Sequence, residues 1–357
     1  MIRPDPGTNG AAPPAAAPPR TTWPALPAAW PTAFTIDAWD PAYGATVDGD
    51  DLSESTAATD LAVERAADDW QPITADPRVA RPSTVLFVDG VRRIDARVWI
   101  DEPTADGSAP TDAVGGLCAS YAAGVVCCCP AGAHLLTADV HRGMFTSSGH
   151  GHDIRTDAGT YRLVVTPRRA GVPDAQTQSL GLQARLAEVE ADAAARASTA
   201  LADHADGPAD LLVVDGPLRG RAHLPRSIGY IKTHRSEYLP PPQHAVVASL
   251  RADQRTPVFA MGTTWQRYSW YLRLPGRPGA PWAGVVRVEC AADLAAAEAV
   301  QLAYLSQVTL GRFASAEYKD ARAPQNLHPI AGLERELRRR LGHPGLLYRS
   351  LRRASIR

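Results

Sequence analysis

Several familiar catalytic signatures are missing from this chain of 357 residues. It has no GxxxxGK(S/T) phosphate loop, so an ATP-driven motor would have to be another chain. It has no GxSxG either, which removes the commonest serine-hydrolase arrangement. A CxxC pair is absent: the cysteines are Cys118, the run Cys127, Cys128 and Cys129, and Cys290. Neighbours along a strand point to alternate faces, so the run cannot converge on one zinc and reads as small apolar core positions. Charge of one sign is lacking as well. With 37 Lys+Arg against 38 Asp+Glu the formal net charge is −1, and any affinity for nucleic acid must be local. An odd number of cysteines, no signal peptide and no apolar run long enough to cross a bilayer point to a reducing cytoplasm.

What is present suffices for a sizeable core, since 45% of the residues are hydrophobic. Residues 1–33, rich in Pro, Ala and Gly, read as a disordered leader, because such composition buries too little apolar surface to offset ordering entropy. Residues 34–80 read as an N-terminal arm packing on the core, 81–345 as one α/β domain, and 346–357 as a basic tail. Apolar runs predict strands at STVLFVDGVRRIDARVWIDE, GGLCASYAAGVVCCCP and TYRLVVTP. Residues 143–159 between them read as a polar loop. Leu182, Leu186, Val189, Ala193 and Ala197 form one stripe and predict a helix over 178–202 that feeds the strand ADLLVVDGPL. Further strands are expected at IGYIKTH, PVFAMG, YSWYLRL and AGVVRVEC, with helices over 293–310 and in GLERELRRRLG, while the prolines of EYLPPP are expected to end any regular element. Antiparallel hairpins followed by a helical crossover give the order of a ribonuclease H-like core with a mixed sheet flanked by helices.

Two apolar strands end alike, VLFVDG at Asp89 and LLVVDG at Asp215. A carboxylate at the end of a buried strand, followed by glycine, places a fixed anion where a divalent cation can sit. Phosphodiester hydrolysis by a pair of cations needs further acids, and the helix before Asp215 supplies Glu190, ranked just ahead of Glu188. Lys232 is placed to contact a scissile phosphate, and His234 to ligate metal or carry a proton. Asp95 has the strand parity of Asp89 but also Arg93 and Arg97 as ready partners. His150, His152 and Asp153 in HGHD read as a mobile loop, with ligation of one metal ion the alternative, and the aromatic strand Trp265, Tyr268, Trp270 and Tyr271 as packing, with base stacking the alternative.

Taken in order, FVDG, the Glu-bearing helix before VVDGPL, the strand bearing Lys232, YLRL with VVRVE and a last proline-led helix resemble the NurA nuclease family, bacterial subgroup. The resemblance implies a manganese- or magnesium-dependent DNA end-processing nuclease in DNA repair or phage defence. It also implies a homodimer that docks on a HerA-like hexameric ATPase. Asp89, Glu190 and Asp215 would be the metal-binding acids. The family closes with an Ala-His pair on the last helix, whereas HPIAGLERELRRR has no histidine inside it. His328, just before, or Asn326 stands in its place, and a catalytically weak adaptor subunit is the alternative reading.

Overall fold

The computed structural model describes residues 53–54, 57–102, 112–202, 211–219, 224–234, 236–262, 265–276 and 282–356. The leader over 1–33 and the start of the arm lie outside the described residues. In chain order the elements are β1 (Ser53–Glu54), β2 (Ala58–Asp60), β3 (Val85–Glu102), β4 (Asp112–Cys129), β5 (Gly132–Thr146), β6 (Ile154–Thr156), β7 (Gly159–Val165), α1 (Asp174–Ala202), β8 (Leu211–Asp215), β9 (Ser227–Ile231), β10 (Ser236–Glu237), α2 (Pro241–Ser249), β11 (Phe259–Gly262), β12 (Gln266–Arg273), β13 (Val285–Ala291), α3 (Ala296–Leu310), α4 (His328–Arg340) and α5 (Pro344–Ala354).

Eleven of the described strands form one mixed sheet in the order β2-β11-β12-β13-β9-β8-β3-β4-β5-β7-β6. Strands β3, β4 and β5 are an antiparallel meander, after which α1 carries the chain across to β8, parallel to β3. Side chains alternate across the sheet. Val85 and Phe87 of β3 join Leu211 and Val213 in the core under α3, while Leu86 and Val88 join Leu212 and Val214 against Ala193, Ala194 and Ala197 of α1. Both faces of the β3–β8 pair are therefore covered, which is why these strands read as unbroken apolar runs.

Four elements, β5, β6, α2 and α5, depart from the sequence reading. The segment 132–146, with its mixed polar and apolar residues, is strand β5, and the expected loop over 143–159 contains the end of β5 and all of β6. β5 is half exposed along most of its length, so it carries no clear alternating signal. The prolines of EYLPPP do not end structure but begin it: Pro240 precedes α2 and Pro241 opens it, where a missing N–H costs nothing. The basic C-terminal stretch contains α5, which buries Leu347 and Leu351 and turns its arginines outward. No helix among the described residues is long and apolar enough to cross a membrane.

Candidate metal centre

Register puts the two Asp-Gly strand ends side by side. Val88 pairs with Val214, so Asp89 and Asp215, one step further, lie on adjacent strands and on the same face as Phe87 and Val213. β8 stops there while β3 runs on with β4, leaving a crevice beyond the carboxyl end of β8. The two glycines do different things. Gly216 has φ +92°, a conformation that side chains disfavour, and its backbone bridges to Tyr230. Gly90 lies within regular β3, and a Cβ there would strike Leu186 and Glu190 of α1, so glycine makes room for the helix. Just past the end of β9, Lys232 is two residues beyond Tyr230, the partner of Asp215, and returns to the same face.

Helix α4 closes this face. Leu333 and Leu337 pack over Gly124, opposite Asp89 in β4, and bring Glu334, one residue along the same stripe, down to the two aspartates. Carboxylate oxygens of Asp89, Asp215 and Glu334 all lie within 4.8 Å of one another. They line a cleft of 970 Å³ together with Lys232, Arg92, Arg93 and Arg338. Third place in the convergence thus belongs to Glu334, where the sequence reading put Glu190. The Glu190 carboxylate rests against Gly90 on the α1 face of the sheet. It is close enough to add to the repulsion on Asp89 but outside the trio. The signal was available in principle: Glu334 interrupts the apolar stripe Ile330, Leu333, Leu337, a position where an acid needs a reason.

The three acids are unequally compensated. Burial, and then the neighbouring Asp215, pushes the Asp89 carboxyl well above the usual carboxylate range, against the pull of Lys232. Asp89 Oδ1 accepts from the Gly90 N–H at 2.7 Å, whereas Oδ2 is buried with no hydrogen-bond partner. Lys232 Nζ donates to Asp215 Oδ2 at 2.6 Å and to Asn326 Oδ1 at 3.1 Å. Burial works against its ammonium, but Asp215 and Asp89 outweigh it and hold the group above its ordinary value. Arg322 grips Glu334 with two bonds of 3.1 and 2.8 Å. Behind Lys232, Asn326 donates to Asp320 at 2.6 Å, so it orients the lysine instead of reaching the acids. Glu289, fully buried between Arg267 and Arg287, accepts from the Leu218 N–H at 2.8 Å and pins the loop that leaves Asp215.

The remaining candidates lie elsewhere. His328 begins α4, is exposed and does not line the cleft. Asp95 sits where the β3–β4 register slips between Ile94 and Ala96, so the parity argument fails there. It is held by Arg93 at 2.9 Å, Ser120 at 2.5 Å and Tyr161 at 3.0 Å. Asp153 is tied to Arg162 and to the Leu163 N–H, and His150 faces Glu102 at 3.5 Å. Trp270 is buried and donates to Ser306, and Tyr271 packs on Phe259 and Trp282, so the aromatic strand is core.

His234 packs against Tyr271 and Trp282, with Nε2 3.0 Å from the Val285 carbonyl, away from the acids. Burial, aided by Arg287 and opposed by the bond to Val285, pushes it down to about 4. The unfolded chain then takes up this proton first, near pH 6.5, so the contribution of His234 is intact above that pH and is lost as pH falls toward 4. The full loss is on the order of 3 kcal/mol. Urea melts at pH 7 and pH 4.5 are expected to show a smaller acid-induced drop for His234→Gln than for the wild type, and equal drops would refute the assignment.

No protein-family model and no curated protein matches the sequence. Among solved structures the chain is similar to the NurA nuclease from Sulfolobus solfataricus. The identity is 12% and the TM-score 0.39, over 76% of this chain and 84% of that one. A likeness that distant adds nothing to the site, which stands on the convergence of Asp89, Asp215 and Glu334.

Proposed function

We propose that this chain is a metal-dependent deoxyribonuclease of the NurA kind, with a ribonuclease H-like core formed by β3, β4, β5, α1 and β8. The convergence of three carboxylates, one of which, Asp89, keeps Oδ2 buried with no hydrogen-bond partner, carries the reading. Hard oxygen donors of this kind suit Mn²⁺ or Mg²⁺, and an orphaned buried carboxylate oxygen is a ready ligand position. Such an ion supplies positive charge beside a phosphate and makes water a stronger acid. Asp89, Asp215 and Glu334 would hold it. Lys232, already fixed by Asp215 and Asn326, would neutralise charge developing on a phosphate oxygen. Arg92 and Arg338 at the cleft margin suit the sugar-phosphate backbone. Following the family resemblance, we place the chain in a homodimer working with a HerA-like hexameric ATPase.

A second reading is a NurA-like adaptor without catalysis, favoured by the ion pairs Lys232–Asp215 and Arg322–Glu334, which already occupy two of the acids. Metal removal separates the two. Nuclease function predicts that linear DNA is degraded in Mn²⁺, that EDTA stops the reaction, and that added Mn²⁺ restores it. Calorimetry should then show Mn²⁺ binding. Intact DNA and no binding heat would select the adaptor.

A further inference from the structure

The cysteine run at the end of β4 does converge, though not in the way adjacent residues would. Cys127 and Cys129 are two apart on the strand and share a face. Only two residues, Pro130 and Ala131, separate Cys129 from the start of strand β5 at Gly132, which has φ +112°, and this tight return sets Cys129 opposite Gly132 and Cys127 opposite His134. One ligand atom from each of Cys127, Cys129 and His134 lies within 4.8 Å of the others. Donors on a single tetrahedral zinc stand about 3.5 to 3.8 Å apart, given Zn–S near 2.3 Å and Zn–N near 2.0 to 2.1 Å, so small side-chain rotations close the set.

We propose that Cys127, Cys129 and His134 form a second metal site, selective for Zn²⁺, that ties together the tip of the β4–β5 hairpin. Two thiolates and an imidazole are soft or borderline donors and discriminate against the Mn²⁺ and Mg²⁺ that three carboxylates favour. His134 is exposed, which leaves a fourth position open to water or to a ligand from another molecule. Binding forms two Zn–S bonds and one Zn–N bond and releases the two thiol protons to solvent. Among them is the thiol proton of Cys129, whose sulfur now lies 3.7 Å from the Gly132 carbonyl. The site is separate from the carboxylates. Cys127 faces the α1 side of the sheet, with Val125 and Ala193, while Asp89 faces α4. Cys128, turned the other way into the core under α3, takes no part.

Metal-stripped, reduced protein titrated with Zn²⁺ is expected to take up one tight equivalent. Co²⁺ as a probe should give thiolate-to-metal charge-transfer absorption, displaced by Zn²⁺. Cys129→Ser, at a partly buried hairpin position, and His134→Ala, at an exposed one, should each weaken Zn²⁺ binding by about a hundredfold or more. Cys128→Ser and Asp215→Asn should leave it unchanged, so the outcome does not depend on the nuclease reading. Absence of the charge-transfer band, or a band that persists in Cys129→Ser, overturns the proposal.

Discussion

On the proposed nuclease reading, Asp89→Asn, Asp215→Asn and Glu334→Gln are each expected to slow Mn²⁺-dependent cleavage of linear DNA by at least about a hundredfold, which is about 2.7 kcal/mol at the transition state. Each change keeps the side-chain shape and removes one anionic ligand from the trio. The three differ in what they do to the fold, and that difference is the control. Asp89 is buried, crowded by Asp215 and Glu334, and left with one oxygen unpartnered, so its neutral amide relieves repulsion and should raise the melting temperature of the metal-free protein. Glu334→Gln instead takes a charge from the buried Arg322 guanidinium and should lower it. Activity lost in both, with stability moving in opposite directions, cannot be a folding artefact. Glu190→Gln is expected to be milder, because that carboxylate lies on the other face of the sheet against Gly90. Wild-type rates in Glu334→Gln together with a dead Glu190→Gln would return the third position to α1.

Much of this site was legible where the signal was local. VLFVDG and LLVVDG announced buried strands ending in acids, and a parallel pairing in register was enough to bring Asp89 and Asp215 together. Lys232 is legible from its place just after the strand next to the one ending at Asp215. Glu334 did not, because its role depends on how α4 is laid over Gly124, a contact spanning some two hundred residues of sequence. Within the helix it looked like one more charged residue among Glu336 and the arginines. His328 failed for the opposite reason: it is near the site in sequence, but the first turn of α4 points it to solvent. Asp95 shows the limit of parity itself, since one slip in register re-aims every argument built on alternation beyond it. The Cys127–Cys129 pair is hidden in the sequence because its third member comes from across a turn, outside the spacing of a single strand.

The N-terminal arm supplies the second large effect. Glu64 reaches the sheet and meets Arg255, whose side chain is fully buried. The pair is bidentate, Nη1 to Oε2 at 2.7 Å and Nη2 to Oε1 at 2.9 Å. Glu64 also accepts from the Val258 N–H at 2.7 Å, Arg255 donates to the Thr256 carbonyl, and the guanidinium lies 4.3 Å over the Tyr304 ring. Backbone bonds between Ile73 and Arg255 complete the junction. Removing one member leaves the other charge stranded out of water, so Glu64→Gln and Arg255→Met should each cost about 3 to 5 kcal/mol in urea denaturation. The double variant should cost less than the sum, because it strands no charge, and a double-mutant cycle reads that difference directly. Neither residue lines the cleft, so on the proposed reading folded protein at low temperature should bind Mn²⁺ as the wild type does. Strictly additive losses below about 1 kcal/mol would mean that the pair behaves as an exposed one and that the arm is held by its apolar contacts, Trp70 against Phe259 foremost.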